Sequence, residues 1–196
     1  IEKAKEKAGP AIDKAKEKAA PVIESLKEKF ANKDEADEIK EAAEKANLDA
    51  PLLKRLKFNE DKLNDVVSGI ESLIDLTDPV GKVTLHTTLD DGLELTRVTC
   101  PIGVIGVIFE SRPDALVQIA SLCIKSGNAV FLKGGSEAIN TNKALAAVIS
   151  KAGIEAGLPE GWLNLLTLRS EIADMLQLDE YIDLIIPRGS NSFVQY

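Results

Sequence analysis

The stretch Pro101–Gly135, PIGVIGVIFESRPDALVQIASLCIKSGNAVFLKGG, decides the fold of this 196-residue chain. Its run Ile102–Phe109 is apolar and rich in β-branched residues without a break, which predicts a strand buried on both faces. Pro113 suits the first turn of a helix and Gly127 suits a helix end, so we expect a helix between them. Ala129–Leu132 predicts a second buried strand, and strand, helix and strand in this order form the unit of a parallel α/β sheet.

Polar residues follow both of these strands. Glu110, Ser111 and Arg112 come directly after the first strand, and Lys133–Gly135 comes after the second. Ligands of open parallel sheets bind beyond the carboxyl ends of the strands. The sequence therefore predicts a ligand site at this edge of the sheet.

The same alternation continues towards Tyr196. Thr141–Ala156 has helical periodicity, Trp162–Leu166 predicts a short strand, a helix follows Ser170, and Tyr181–Ile186 predicts a further buried strand. We therefore expect an α/β fold with a Rossmann-like parallel sheet over residues 101–196, covered by helices on both faces.

Residues 79–100 predict a β-hairpin. The two strands, Val83–Leu89 and Leu93–Thr99, are joined by Asp90-Asp91-Gly92, and an Asp-Gly pair favours a tight hairpin turn. His86, the single histidine, falls on the first of these strands, so histidine-based catalysis or metal binding has one candidate residue.

Helices are predicted ahead of the hairpin. Residues 34–78 contain amphipathic helical patterns, and Asn59 suits the N-cap of the last of them. Residues 1–33 repeat every eleven residues, with prolines that interrupt helices at Pro10 and Pro21. This segment could contact a membrane surface or a partner, or pack as a helix-prone segment on its own domain, and its short pieces favour the second interpretation. It could also be a divergent start, a fusion or an engineered replacement.

Composition limits the possible functions. The net charge of −8 argues against nucleic acid as a partner, because binding to phosphates needs a basic surface. Cys100 and Cys123 lack metal or redox spacing and lie in apolar stretches, which predicts two buried thiols and a reducing, cytoplasmic location. We see no apolar run long enough to span a bilayer and no signal peptide.

Three motifs, PIGVIGVIFESRPD, SGNAVFLKGGSEA and IDLIIPRGSN, resemble the γ-glutamyl phosphate reductases, which are also called glutamate-5-semialdehyde dehydrogenases. They are also similar to the reductase half of pyrroline-5-carboxylate synthases and, more distantly, to the aldehyde dehydrogenase superfamily. The resemblance covers about residues 34–196. It implies an aldehyde dehydrogenase-like cofactor domain and NADPH-dependent reduction of L-glutamyl 5-phosphate to L-glutamate 5-semialdehyde in proline biosynthesis. It also implies a homo-oligomer, with the hairpin as the contacting arm.

The resemblance assigns roles to individual residues. A cation at Lys133 suits the 2′-phosphate of a cofactor, which favours NADPH over NADH. Arg112 is expected to hold a substrate carboxylate or acyl phosphate, because guanidinium binds such oxygens in pairs. Ser111 occupies the position of an oxyanion-hole asparagine in aldehyde dehydrogenases, and a serine there departs from that pattern. The implied cofactor residues are Lys133, Gly134, Gly135, Ser136, Glu137, Gly189 and Ser190, and the implied substrate residues are Ser111 and Arg112.

Other interpretations remain open at this point. The family's nucleophilic cysteine follows the PRGS motif in a domain that this chain lacks, and neither Cys100 nor Cys123 matches it, so we expect the chain alone to be inactive. The chain could instead be a non-catalytic nucleotide- or partner-binding α/β module, or a truncated or engineered fragment. Lys133 could be an exposed strand-end lysine, and Arg112 could pair with Asp114 or Glu110. Uncovered apolar surface would cause self-association or marginal stability.

Overall fold

The fold is taken from a computed structural model, which describes residues 56, 58–110 and 112–189. The repeat segment 1–33 and the predicted helices before residue 56 lie outside the described residues. Within the described part, an antiparallel hairpin and a parallel α/β sheet follow one helix. This arrangement confirms the predicted fold class. No helix of the described part is both long and apolar enough to cross a membrane.

Helix α1, Glu60–Asp75, begins at the predicted cap. The Asn59 side chain accepts a hydrogen bond from the backbone N–H of Lys62 at 3.3 Å, which satisfies one of the free donors of the first turn. Strands β1, Val83–Asp90, and β2, Leu93–Val98, then form the antiparallel hairpin. Gly92 has a φ of 77° in the connecting turn, a conformation that glycine adopts without strain.

The remaining elements form a four-stranded sheet in the order β5-β4-β3-β6, with every neighbouring pair parallel. Consecutive strands run outward from β3 to β5, and the chain then returns to place β6 on the other side of β3. This reversal creates a crevice between the carboxyl ends of β3 and β6, where open α/β sheets bind ligands. In chain order the elements are β3 Val104–Phe109, α2 Pro113–Lys125, β4 Ala129–Lys133, a 3-10 turn Ser136–Ala138, α3 Ile139–Glu155, β5 Leu163–Leu166, α4 Ser170–Leu176 and β6 Leu184–Arg188.

Helices cover both faces of this sheet. Ile105, Val107 and Phe109 of β3 belong to the larger apolar core, which they share with α1, α2 and α3. Ile108 belongs to a smaller cluster on the opposite face, with Met175 of α4. Because successive side chains of β3 enter different clusters, the strand is buried on both faces, as its unbroken apolar run predicts.

Strand β6 differs from its prediction in both position and burial. It spans Leu184–Arg188 rather than Tyr181–Ile186, because a tight turn in which the Ile182 N–H donates to the Leu178 carbonyl at 2.9 Å precedes it. The predicted burial is wrong, since Leu184 and Ile186 are exposed. In the described part β6 pairs with β3 alone, and an edge strand tolerates Pro187, which has no N–H to donate.

Candidate functional site at the carboxyl edge of the sheet

The carboxyl ends of three strands lie side by side. Ile108 near the end of β3 is in register with Lys133 of β4 on one side and with Pro187 of β6 on the other. The sheet therefore brings together three segments that are far apart in the sequence. The described residues of these segments are Glu110 and Arg112, residues 133–137, and Arg188 with Gly189.

Lys133 is buried, with 7% of its surface exposed, although it ends a strand. The alternative of an exposed strand-end lysine is therefore wrong. Its Nζ donates a hydrogen bond to the Gly134 carbonyl at 2.7 Å. An ammonium has three N–H donors, and within the described part Lys133 has no ion pair and no second acceptor. A buried cation without a counter-charge is costly, so this position is suited to an anionic ligand.

Gly134 lies where two other side chains approach its backbone closely. A Cβ at this position would overlap Nδ2 of Asn142 and would lie 3.1 Å from Cζ of Phe109. The glycine is therefore required by space. Because Gly134 has no side chain, the end of β4 can lie close to the Asn142 side chain of helix α3.

The turn continues through Gly135, Ser136 and Glu137 into α3. A Cβ at Gly135 would overlap the Glu137 carboxylate, which is the far end of a flexible side chain that folds back over the turn. Ser136 is exposed and Glu137 is half-buried. The N-terminus of α3 follows, and a helix N-terminus favours negative charge. Lys133 and the α3 N-terminus thus place positive charge at the carboxyl end of β4, with the Glu137 carboxylate beside them.

The other end of the crevice is open. Arg112 is exposed and forms no ion pair within the described residues, and Asp114 is instead near Lys62, with Nζ and Oδ2 3.9 Å apart. The alternative of an Arg112–Asp114 pair is therefore wrong. Gly189 is exposed at the end of β6. Ser111 and Ser190 lie outside the described residues, so their expected roles stay predictions.

The two cysteines differ in exposure. Cys123 is buried on α2, where desolvation raises the pKa of its thiol. Cys100 is exposed, so the prediction of two buried thiols is wrong for this residue, which follows the hairpin rather than a packed strand. Both thiols are free, and a cytoplasmic location stays a prediction.

No group of three or more histidine, cysteine or acidic side chains is arranged for a metal within residues 56, 58–110 and 112–189. His86 is on the outer surface of the hairpin, where its Nδ1 is 2.9 Å from the Thr96 hydroxyl. An apolar groove of about 470 Å³ lies beside α2 and reaches Arg188, but it does not include the end of β4. We therefore take the edge residues as the candidate site, because polar and charged groups converge there.

The sequence did not single out Asn142. It lies in the first turn of α3 and is 1% exposed, and neither atom of its amide has a hydrogen-bond partner within the described part of the chain. A sequence signal exists, since Leu145 and Ile149 continue the same buried stripe and an asparagine interrupts it.

Known proteins with similar sequences match most of the chain. It is 67% identical over 154 residues to "Gamma-glutamyl phosphate reductase" of Pelotomaculum thermopropionicum, a match that covers 79% of this chain and 36% of the relative. The chain thus spans about a third of the length of that curated relative.

Solved structures of proteins with the same name, gamma-glutamyl phosphate reductase, are also similar to this chain. Gamma-glutamyl phosphate reductase from Saccharomyces cerevisiae superposes with a TM-score of 0.81 at 41% identity, covering 94% of this chain and 48% of that one. The Thermotoga maritima enzyme of the same name superposes with a TM-score of 0.83 at 34% identity, covering 94% and 45%. Residues 6–196 match the sequence model of the aldehyde dehydrogenase family. The chain therefore belongs to the aldehyde dehydrogenase family.

Proposed function

We propose that this chain forms the cofactor side of an NADPH-dependent reductase that converts L-glutamyl 5-phosphate to L-glutamate 5-semialdehyde in proline biosynthesis. The relatives at 50–67% identity carry the name gamma-glutamyl phosphate reductase, and the family uses nicotinamide cofactors. The observation that carries the choice of NADPH is the buried ammonium of Lys133, which has no counter-charge within the described part.

The 2′-phosphate distinguishes NADPH from NADH, and it would provide that counter-charge. We assign Lys133 to this phosphate, with the turn Gly134–Glu137 and the α3 N-terminus beside it. Gly189 and Ser190, at the end of β6, would adjoin the nicotinamide, which supplies a hydride when the cofactor is bound. The two ends of the crevice would then hold the two ends of one cofactor.

Arg112 is assigned to the substrate. The substrate carries a carboxylate and an acyl phosphate, and an exposed guanidinium without an ion pair in the described part can bind either group through two parallel hydrogen bonds. In the overall reaction, hydride replaces phosphate at the acyl carbon, giving the aldehyde, inorganic phosphate and NADP⁺. The proposed nucleophile, a cysteine, is not supplied by Cys100 or Cys123, so the chain alone should bind cofactor without turnover.

Cofactor titrations test this assignment. NADPH and NADH are titrated into the full 196-residue chain, and into its Lys133→Ala variant, with cofactor fluorescence as the readout. We expect saturable binding that prefers NADPH, and about a tenfold or greater loss of NADPH affinity in Lys133→Ala. The matched control is Lys151→Ala on α3, which removes the same charge from an exposed side chain near Glu155.

Loss of NADPH affinity in both variants would assign the effect to net charge and contradict the local site. Absence of binding at millimolar cofactor would favour the alternatives of a non-catalytic module or an engineered fragment. Activity is tested by joining this chain to the C-terminal portion of the Pelotomaculum relative. The joined protein should reduce NADP⁺ when given glutamate 5-semialdehyde and phosphate, and Arg112→Ala should raise the KM for semialdehyde or phosphate about tenfold.

We also propose that the chain forms homo-oligomers through the hairpin. Leu85 and Leu95 share one face of the hairpin with Thr87 and Arg97, and both leucines are exposed, as are Leu89 and Leu93 near its turn. An isolated two-stranded hairpin is only marginally stable in water, so a partner covering this face would stabilise it. His86, Thr88 and Glu94 occupy the polar face.

Light scattering combined with size-exclusion chromatography tests the oligomer. Leu95→Lys places a charge on the apolar face and should shift the protein to monomer at micromolar concentration. Thr88→Lys places the same charge on the polar face, opposite Glu94, and should leave the mass unchanged. A monomeric unaltered chain, or equal behaviour of both variants, would contradict the proposed interface.

A further inference from the structure

Asn142 is a buried polar residue in a place where packing alone would favour an apolar one. Leu145, Ala146 and Ile149 form the rest of the buried surface of α3 near it. Both Oδ1 and Nδ2 of Asn142 lack hydrogen-bond partners within the described residues. A buried amide without partners is unfavourable, and such a group in a folded protein calls for an explanation.

The Asn142 amide lies against the residue that binds Lys133. Its Nδ2 is so close to Gly134 that a Cβ there would overlap it, and Phe109 closes the same space. The Gly134 carbonyl accepts its hydrogen bond from Lys133 Nζ at 2.7 Å. Gly134 thus lies between the Lys133 ammonium, which donates to it, and the Asn142 amide, which has no acceptor among the described residues.

We propose that Asn142 is a positioning residue that releases Lys133 to the cofactor by taking over the Gly134 carbonyl. This inference rests on the proposed function of Lys133. When Lys133 turns towards a 2′-phosphate, it gives up the Gly134 carbonyl, which is buried and needs another donor. Asn142 Nδ2, which has no partner within the described residues, lies next to Gly134, and in the proposed exchange it becomes the new donor to this carbonyl. The exchange leaves the number of hydrogen bonds to the carbonyl unchanged.

The exchange predicts a selective effect on one cofactor. NADH has no 2′-phosphate, so its binding does not draw Lys133 from Gly134 and does not need the Asn142 donor. Loss of the donor should therefore weaken NADPH binding and leave NADH binding almost unchanged. A purely structural role of Asn142 would change both affinities together.

The test uses the full chain with Asn142→Leu, which has similar size and no donor. NADPH and NADH are titrated with cofactor fluorescence, and urea unfolding is followed through Trp162. We expect NADPH affinity to fall about tenfold, NADH affinity to change less than about twofold, and the urea midpoint to stay or rise, since the unpartnered amide is gone. Thr141→Val, on the same turn and also buried, is the control and should keep both affinities.

A second variant and a double variant keep the inference falsifiable. Asn142→Ala adds no volume and should show the same selectivity if Asn142→Leu fails to fold. In a Lys133→Ala background, Asn142→Leu should have no further effect on NADPH, because the two side chains act through one carbonyl. Equal loss for both cofactors, or unchanged NADPH affinity, would overturn this inference alone. Absence of NADPH binding by the unaltered chain would overturn it together with the proposed function.

Discussion

The hairpin and the parallel sheet both consist of paired β-strands, but their strands differ in how much of each is exposed. Strand β1 of the hairpin has seven of its eight residues exposed, whereas five of the six residues of β3 are buried. Both strands are paired through backbone hydrogen bonds. The difference is that β3 has strands on both sides and helices on both faces, while the described part of the chain leaves the hairpin faces bare. Backbone pairing therefore forms a strand, and layers of side chains bury it.

The largest expected difference concerns leucines in the two regions. Leu116 on α2 has an exposure of 0%, and Leu95 on β2 has an exposure of 45%. Leu116→Ala should lower the free energy of unfolding by about 2–5 kcal/mol, because it leaves a cavity under the sheet. Leu95→Ala should change it by less than about 0.5 kcal/mol in the monomer.

Urea unfolding followed through Trp162, the single tryptophan, measures both changes. Leu122→Ala is a control on the same helix as Leu116, since Leu122 is exposed there. Equal effects of Leu116→Ala and Leu122→Ala would show that α2 is not packed on the sheet as described.

An intermediate effect is expected from added volume. Gly153 of α3 touches the ring of Trp162, and a Cβ there would lie 2.7 Å from Nε1. Gly153→Ala should destabilise the chain by about 1–3 kcal/mol through overpacking, although alanine is the better helix former. Gly69→Ala in α1 should stabilise it by about 0.5–1 kcal/mol, because no atom lies within 4 Å of the added group. Changes of opposite sign in the free energy of unfolding, measured with urea, would confirm that the space around the added Cβ determines its effect on stability.

The smallest expected effect concerns the two thiols. Burial raises the pKa of Cys123, so at a given pH less of it is thiolate in the folded chain than in the unfolded chain, whereas Cys100 is exposed to a reagent. With a thiol-reactive reagent at neutral pH, mass spectrometry should find Cys100 modified first and Cys123 only after unfolding. Because the unfolded state loses the Cys123 proton at lower pH than the folded state does, stability should decline slightly as pH rises through the unfolded pKa. Equal labelling rates in the folded chain would contradict the burial of α2.

Much of the candidate site was predictable from the sequence, but its exposure was not. The position of Lys133 at a strand end follows from the apolar run before it and the glycines after it. Its burial depends on its place between the neighbouring strands β3 and β5, which no local pattern records. The contact of Asp114 with Lys62 of α1, rather than with Arg112, likewise joins residues that no local pattern connects. Such contacts join residues far apart in the chain.

The sequence by itself determined the order of strands and helices, the hairpin turn and the family. These follow from local periodicity, from residues with special backbone geometry and from motifs that are continuous in the chain. Only the tertiary structure decided the burial of Lys133 and, within the described part of the chain, the exposed edge at β6 and the lack of a partner for the Asn142 amide. The physical reason is that burial and hydrogen bonding depend on contacts between residues that are far apart in the chain. The local sequence around one residue does not identify the distant residue that contacts it.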